Sequence, residues 1–313
     1  MSIIKPMLAK DVNEDKLKFP LWMFPKIDGV FMLVQNGKAY ARSLKHHENK
    51  YITELYSNPE FEGLRGELIA GDNPTAKGLV RLSSSTASTI EGTPETTFWC
   101  FDYVTPDTVN LSYQDRFRKM LELTEQLQEK YPFIRAVTGV LVSGQEGYSR
   151  TLSEFVEAGF EGAIIRDYTL PHKEGRSSSV KAHVWRWKPW KDAEIRVTSV
   201  TEGSKNNNEA TTDELGRTKR SFQQDGLVPN GMVGNINGTL LADLLDSNNK
   251  VIMKKGDSLT ISCGELTVPE RKHYFENQDQ IIGKIAKFRY FAFDLKDAPR
   301  YPICTTLRSE VDM

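Results

Sequence analysis

The pattern of predicted elements changes near residue 190, and this change limits the fold more than any other feature of the sequence. Before it, "GVFMLVQNGKAYARS" has an Asn-Gly turn between apolar runs, which predicts a β-hairpin. Short strands such as "LRGELIAGD" and "TFWCFDYV" alternate with two amphipathic helices, "YQDRFRKMLELTEQLQEKY" and "SRTLSEFVEAGF". We expect Ser149 or Thr151 to cap the second helix and Gly159 to end it. After residue 190, strands follow one another between turns. The pattern predicts an α+β domain over residues 1–189 and an all-β domain over residues 190–313.

The all-β part has the features of a small barrel. Strands such as "AEIRVTSV", "GNINGTLLADLL", "VIMKKGDSLTISC" and "KIAKFRYFAF" are separated by Gly and Asn turns, and one short helix is predicted around "PERKHYFEN". Five or so strands around one short helix in about 120 residues are typical of a closed barrel, of which the OB-fold is the usual example. The junction "KPWKDAE" is polar and contains Pro189, so we place a hinge there.

One long polar segment interrupts the predicted barrel. Residues 201–230, called the latch segment below, are rich in Asn and Gly and carry the cations Arg217, Lys219 and Arg220 near their centre. A segment of this length inside a compact domain is usually either functional or disordered. The residue pattern alone leaves both interpretations open.

Composition excludes several classes of protein. No apolar run approaches the roughly 20 residues that a membrane-spanning helix needs, and "MSIIKPMLAK" has no signal-peptide pattern. The three scattered cysteines favour a reducing compartment, so we expect a cytoplasmic protein. The net charge of −1 argues against a uniformly basic nucleic-acid binder. Residues 151–170 carry a net charge of −3 and residues 171–191 one of +5. This contrast fits a site for a metal and a polyphosphate, and it equally fits two solvated faces.

The octapeptide "FPKIDGVF" places Lys26 between a proline and an Asp-Gly pair. A surface lysine in a loop is the common interpretation of such a residue. A nucleophilic lysine would need a pKa below its ordinary value of about 10.4, which burial and nearby cations can supply. Such an amine can attack the α-phosphorus of a nucleotide. That reaction also requires carboxylates for Mg²⁺, cations for the phosphates, an aromatic ring for the base and a polar group for the ribose.

Further segments supply these groups in order along the chain. "ARSLK" contains Arg42, "RGELIAG" contains Glu67, "WCFDYV" contains Phe101 and "EGAIIRD" contains Glu161. In "WRWKPW", Arg186 and Lys188 are two positions apart and are expected on the same face of a strand. Each residue alone is more often structural, but the ordered set is hard to obtain by chance.

The series "KIDG", "ARS", "RGEL", "FDYV", "EGAIIR" and "RWK" resembles the ordered motifs of the covalent nucleotidyltransferases, which comprise ATP-dependent DNA ligases, RNA ligases and mRNA capping enzymes. The C-terminal "DLKDAPRYPICTTLRSEVD" resembles the DNA ligase motif built on Arg-x-Pro. "KNNNEATTDELGRTKRS" and "IIGKIAKFRYFAF" are similar to the minimal DNA ligases of chlorella viruses and phages. The resemblance implies an α+β nucleotidyltransferase domain (ATP-grasp-like adenylation domain) followed by an all-β OB-fold domain.

The resemblance also implies an activity and a nucleotide site. The activity is ATP-dependent sealing of nicks in duplex DNA through lysyl-AMP and an adenylated 5′-phosphate, with Lys26 as the adenylated residue. Nucleotide-binding roles are implied for Glu67 on the ribose, Phe101 on the adenine, Arg186 and Lys188 on the α-phosphate, and Arg300, Arg308 and Asp312 on the pyrophosphate. Metal ligands for Mg²⁺, or Mn²⁺ in its place, are implied to be Glu161, Glu67 and Asp28.

For the DNA, the resemblance implies contacts from two parts of the chain. Arg42 and Arg176 would bind the 5′-phosphate of the nick. The latch segment would be a β-hairpin that orders on DNA, with Arg217, Lys219 and Arg220 contacting phosphates or a groove. We expect a monomer. The pathway, whether replication, repair or recombination, is not indicated.

Two positions depart from the motifs, and two alternatives remain. Phe31 stands where these enzymes usually have an arginine, and Arg186 stands where they usually have a lysine. An RNA ligase or RNA-capping nucleotidyltransferase would use the same chemistry at Lys26. A DNA-binding protein with an OB-fold and no catalytic activity would tolerate both departures.

Overall fold

The structure, a computed structural model, describes residues 3–293 and 298–308. Contacts within the chain separate it into two units, Met1–Lys188 and Pro189–Met313. Each unit buries its own set of apolar side chains, so each is described by itself. None of the helices in the described ranges is both long and apolar enough to cross a membrane.

The first unit contains strands and helices in alternation. Its strands are β1 (Met7–Leu8), β2 (Lys10–Asp11), β3 (Leu21–Lys26), β4 (Val30–Gln35), β5 (Lys38–Ala41), β6 (Leu64–Ala70), β7 (Thr96–Tyr103), β8 (Ile134–Ala136), β9 (Val140–Val142), β10 (Gly162–Arg166), β11 (Gly175–Arg176) and β12 (Trp185–Trp187). Its helices are α1 (Lys50–Tyr56), α2 (Leu79–Ser88), α3 (Tyr113–Gln128) and α4 (Gln145–Glu157).

Two five-stranded sheets organise this unit. One has the strand order β5-β4-β6-β7-β8 and the other the order β2-β12-β10-β3-β9, while β1 pairs with β11. The chain leaves the sheet that contains β10 at the end of β3, and it enters the sheet that contains β6 at the start of β4. Residues at this crossing, Lys26 to Gly29, therefore lie where the two sheets are joined.

Local sequence explains several of these elements. Asn36 and Gly37 have φ of 54° and 66°, so they form the left-handed turn that joins β4 to β5, as the Asn-Gly pair predicts. Ser112 caps α3 by accepting a hydrogen bond from the Asp115 backbone N–H, and buried residues recur at helical spacing along that helix.

The predicted start of α4 is wrong. The helix begins at Gln145, with Gly144 as its cap, so Ser149 and Thr151 both lie inside it. Tyr148, Thr151 and Leu152 are buried, and this apolar spacing extends the helix one turn towards its N-terminus. Its end is confirmed, because Gly159 follows with φ of 91° and donates its N–H to the Val156 carbonyl.

The second unit is a barrel. Its elements are β13 (Trp190–Asn206), β14 (Ala210–Thr212), β15 (Thr218–Arg220), β16 (Leu227–Leu240), β17 (Leu244–Leu245), β18 (Val251–Met253), β19 (Ser258–Ser262), α5 (Val268–Glu276), β20 (Ile285–Phe291) and β21 (Arg300–Arg308). The strands β13-β16-β19-β21-β20 close into a barrel, as the run of short strands predicts. Side chains such as Ile195, Ile236, Ile261 and Phe288 fill its interior.

The latch segment is a paired hairpin. Strands β13 and β16 continue beyond the barrel, with Ser204 opposite Pro229 and Asn206 opposite Leu227. At the tip, β14 and β15 form a second short hairpin. Asn206 and Asn208 donate side-chain hydrogen bonds to the Ser221 carbonyl. The segment has the predicted hairpin form, because main-chain pairing and Asn side chains satisfy its polar backbone.

Candidate active site

Lys26 is the last residue of β3, and strand pairing brings it to Glu161. β3 runs antiparallel to β10, with Lys26 opposite Gly162, and the Glu161 backbone N–H donates to the Lys26 carbonyl at 3.0 Å. A Cβ at Gly162 would lie 2.2 Å from the Trp187 carbonyl oxygen on β12, so only glycine permits this approach. Three strands thus converge at Lys26, Glu161 and the residue that follows β12, Lys188.

One buried carboxylate joins the two lysines. The Lys26 Nζ donates to Glu161 Oε2, and the Lys188 Nζ forms an ion pair with Glu161 Oε1. The Glu161 side chain is 1% exposed, while those of Lys26 and Lys188 are 18% and 13% exposed. Charged groups this deeply buried require partners, and here each oxygen of the carboxylate has its own ammonium.

The protonation of these groups differs from the sequence-based expectation. Burial lowers the pKa of Lys26, but the carboxylates of Glu161, Glu67 and Asp28 outweigh it, so the pKa lies above its ordinary value. Burial raises the pKa of Glu161, but Lys26 and Lys188 outweigh it and bring it to about 2. The pKa of Lys188 is lowered, first by burial and then by the charge of Lys26. The raised pKa favours the protonated amine of Lys26, because the three carboxylates outweigh burial and the neighbouring cation Lys188.

Glu67 lies on β6, in the other sheet, and faces the same cluster. Strand pairing sets Phe31 of β4 and Trp99 of β7 directly opposite Glu67 on either side. Burial raises the pKa of Glu67 to about 7 against the opposing charges of Lys26 and Arg42. Its Oε2 atom is buried without a hydrogen-bond partner among the described residues. Such an acceptor is suited to a hydroxyl group of a ligand.

Phe101 and Phe31 form an aromatic surface beside Glu67. Their ring centroids lie 6.2 Å apart, and the Arg42 guanidinium is 5.8 Å from the centroid of Phe31. Phe31, which replaces the usual arginine, is buried between Arg42 and Phe101. Position 31 therefore contributes apolar packing in place of a charge.

A buried charged network, which no sequence motif indicates, supports Phe101. Asp102 accepts from Arg116 at 2.9 Å and from Arg166 at 3.3 Å. The Arg166 guanidinium lies 4.1 Å from the Tyr113 ring centroid, and the Tyr113 hydroxyl donates to the Phe101 carbonyl at 2.8 Å. The letters "FDYV" and "EGAIIR" contain Asp102 and Arg166, but nothing local indicates that they meet.

Arg186 and Arg176 have different surroundings from Lys188. Arg186 donates through Nε to Asp11 at 2.6 Å and stays partly exposed, although its charge helps to lower the pKa of Lys188. Arg176 is exposed on β11 and donates to the Ala9 carbonyl at 3.3 Å. The structure thus brings Lys188 to Glu161 and pairs Arg186 with Asp11.

The carboxylates near Lys26 do not form a ready-made metal site. Within residues 3–293 and 298–308, no group of three or more His, Cys, Asp or Glu side chains is arranged to hold a metal ion. Glu161 pairs with Lys26, and the charges of Glu67 and Asp28 also raise the pKa of that amine. A metal bound by some of them would take further ligands from phosphate or water.

The predicted residues of the second unit lie on the barrel and the latch segment. Arg300 on β21 packs 5.1 Å from the Phe291 ring centroid, and Arg308 forms an ion pair with Glu194. Asp312 lies outside the described residues. In the latch segment, Lys219 and Arg220 are on β15 and Arg217 directly precedes it, and all three are exposed.

Comparisons with known proteins identify relatives in sequence and in fold. No protein-family model matches the chain. A DNA ligase of African swine fever virus is 29% identical over 108 residues, which are 34% of this chain and 26% of that enzyme, and the ligase of another isolate is 27% identical over the same length. The matched segment thus spans about a quarter of these curated relatives.

Solved structures match over nearly the whole chain. The chlorella virus DNA ligase-adenylate is 22% identical, with a TM-score of 0.51 over 98% of this chain and 100% of that one. A Lig E DNA ligase is 17% identical, with a TM-score of 0.64 over the same shares. The bacteriophage T7 ATP-dependent DNA ligase, in complex with ATP, is 14% identical with a TM-score of 0.50. The chain has the fold of these DNA ligases, and over about a third of its length it is similar in sequence to viral members of that group.

Proposed function

We propose that this protein is an ATP-dependent DNA ligase that seals nicks in duplex DNA. The observation that carries the proposal is the cluster in which Lys26 and Lys188 share the buried carboxylate of Glu161, next to the unpartnered acceptor of Glu67. A purely structural ion pair would not require a second lysine and a second carboxylate at the same strand end. A site that transfers a nucleotide through an amine uses all four groups.

In the first step, the Lys26 Nζ attacks the α-phosphorus of ATP. A bond forms between nitrogen and phosphorus, and the bond from that phosphorus to the bridging oxygen of pyrophosphate breaks. Lys188 and Arg186 stabilise the negative charge on the α-phosphate. Phosphate oxygens compete with Glu161 for Lys188, which weakens the ion pair between these two side chains. The adenine stacks on Phe101 and the ribose contacts Glu67.

The protonated state of Lys26 sets a requirement for this step. The amine must lose its proton to solvent water before attack, because Glu161, whose pKa is about 2, is too weak a base to hold that proton. Glu161, Glu67 and Asp28 supply the oxygen ligands that Mg²⁺ prefers, with Mn²⁺ as an alternative, and they would bind it together with phosphate oxygens. When bound, the metal adds positive charge that lowers the pKa of a neighbouring ammonium. Glu161 therefore pairs with Lys26, and the three carboxylates would contribute ligands to the metal.

The later steps use the DNA. AMP passes from Lys26 to the 5′-phosphate of the nick, and the 3′-hydroxyl then displaces AMP to form the phosphodiester bond. Arg42 and Arg176 would bind the 5′-phosphate, and the latch segment would contact the duplex through Arg217, Lys219 and Arg220. Residues 1–189 would be the adenylation domain and residues 190–313 the OB-fold domain, with Arg300, Arg308 and Asp312 acting on the pyrophosphate. We infer a monomer acting in the cytoplasm.

Incubation with ATP and Mg²⁺ tests the first step. We expect one added AMP on the peptide containing Lys26, detected by mass spectrometry, and sealing of a nicked duplex. Lys26→Ala should form no adduct and seal nothing, whereas Lys16→Ala, at an exposed lysine of the same unit, should behave as wild type. An adduct on another residue, or none, would overturn the proposal. Comparison of all-DNA and RNA-containing nicks separates a DNA ligase from an RNA ligase.

A further inference from the structure

Trp99 presents a second unpartnered polar atom directly beside Glu67. The two residues are opposite each other on the antiparallel strands β6 and β7, so their side chains lie on the same face of the sheet. The indole Nε1 of Trp99 and the Oε2 of Glu67 are both buried, and neither has a hydrogen-bond partner among the described residues. Buried polar atoms in native proteins are nearly always paired, so two adjacent exceptions point to a missing ligand.

The chemistry of the two atoms identifies the ligand group. The indole N–H only donates, whereas the carboxylate accepts. A ligand held by both must therefore accept from one and donate to the other at neighbouring positions. A hydroxyl group does both, and the adjacent hydroxyls of a ribose do so with two atoms. Phe31, the third residue of this row, has no polar side-chain atom and cannot take part.

The position of Glu67 and Trp99 within the site indicates that they bind the ribose of a nucleotide rather than the edge of its base. A Cβ at Gly29, three residues after Lys26, would lie 3.2 Å from the Glu67 Cβ, so Glu67 lies beside the segment that carries Lys26. Lys26 is the residue that attacks the α-phosphorus, and in a nucleotide the ribose is joined directly to that phosphate. The base would lie further away, against Phe101. We propose that the Trp99 indole N–H donates a hydrogen bond to a ribose hydroxyl of the nucleotide, beside the hydroxyl bound by Glu67, and thereby makes the enzyme selective for ribonucleotides. This inference rests on the proposed function.

Trp99→Phe tests the inference, because it removes the N–H and keeps an aromatic ring. The measurement is the rate of adduct formation on Lys26 against the concentration of ATP, 2′-deoxy-ATP and 3′-deoxy-ATP. In the variant we expect the half-saturating ATP concentration to rise by roughly three- to ten-fold, the usual effect of one hydrogen bond. For the deoxynucleotide that lacks the contacted hydroxyl, wild type and variant should not differ.

Two controls isolate the hydrogen bond. Trp22→Phe makes the same chemical change in the aromatic core of the unit, where Trp22 packs on Phe24, Tyr113 and Phe117, and it should leave the ratio of ATP to deoxynucleotide unchanged. Trp99→Tyr keeps a donor at the site and should retain part of the discrimination. It also provides a second variant should Trp99→Phe fail to fold.

The outcomes separate this inference from the proposed function. If wild type forms the Lys26 adduct but Trp99→Phe weakens all three nucleotides equally, or none of them, the inference is overturned and the ligase proposal stands. If wild type forms no adduct, both fail. Loss of discrimination for one deoxynucleotide alone supports the inference and shows which hydroxyl is bound.

Discussion

The charges around Lys26 and those of the latch segment are held in opposite ways. Glu161 is 1% exposed and lies between two ammoniums, whereas Arg217, Lys219 and Arg220 are exposed to solvent. A buried charge must be neutralised by particular neighbours, because its removal from water is costly, but an exposed cation keeps its hydration. The first cluster therefore depends on the geometry of three strands. Any binding by the latch cations depends instead on how many there are and on where they lie along one strand.

The latch segment is also less basic than its central cations suggest. Residues 201–230 contain four Lys or Arg and five Asp or Glu, which is a net charge of −1. Asp213 is used within the turn, where it accepts backbone N–H groups from Leu215 and Arg217. The three cations follow this turn in succession. DNA binding by this segment should thus rely on a local concentration of charge rather than on its total.

Deletion of the latch segment should have the largest effect, and it should affect DNA binding without affecting the chemistry at Lys26. Removing residues 203–230 should weaken binding of nicked duplex by about a hundred-fold, since several phosphate contacts are lost together. Adduct formation on Lys26 should stay within about two-fold of wild type, because the first unit is unchanged. Gel-shift titration and mass spectrometry measure the two effects. Unchanged affinity for the nick would show that the latch segment does not bind DNA.

Glu161→Ala should destabilise the first unit and, under the proposed function, abolish adduct formation on Lys26. Lys26 and Lys188 would be left buried without their shared anion, which costs about 3 kcal/mol in comparable cases. The free energy of unfolding from urea titration measures this loss. Glu157→Ala, at an exposed position of α4, should change it by less than about 0.5 kcal/mol. Equal stabilities of the two variants would contradict the view that Glu161 neutralises the site.

Glu67 should make the stability of the first unit depend on pH. Its pKa rises from 4.5 to about 7 on folding, so the folded state binds this proton more tightly than the unfolded state. Stability from this group is therefore highest below pH 4.5 and is lost as pH rises towards 7, by at most about 3 kcal/mol. Glu67→Gln should remove the difference between unfolding free energies at pH 5 and pH 7.5. The prediction would be contradicted if the wild type had the same unfolding free energy at pH 5 and pH 7.5, as the Glu67→Gln variant should.

Lys219→Ala should have the smallest effect. Loss of one phosphate contact should lower nick affinity by a few-fold and reduce the slope of log K against log salt by about 1. Lys272→Ala, at an exposed lysine of α5, is the matched control and should leave the slope unchanged. Equal salt slopes for the two variants would show that Lys219 does not contact a DNA phosphate.

Local patterns predicted those features that depend on neighbours in the chain. The Asn36-Gly37 hairpin, helix α3 and the closed barrel follow from turn residues and from apolar spacing. The start of α4 was wrong, because Ser149 and Thr151 are plausible caps in sequence yet lie inside a longer apolar stripe. Capping residues mark a helix start only where the buried face of the helix also begins.

Motifs of distinct composition and order predicted Lys26, Glu161, Glu67 and Lys188 as site residues, and their roles stay predictions. It could not show that Glu161 lies between two lysines, that Arg186 pairs with Asp11, or that the indole of Trp99 has no partner beside Glu67. Lys26 and Glu161 are 135 positions apart in the chain, and only the pairing of β3 with β10 brings them together. Burial and Coulomb forces act through space, so the protonation of Lys26 was decided by tertiary structure alone.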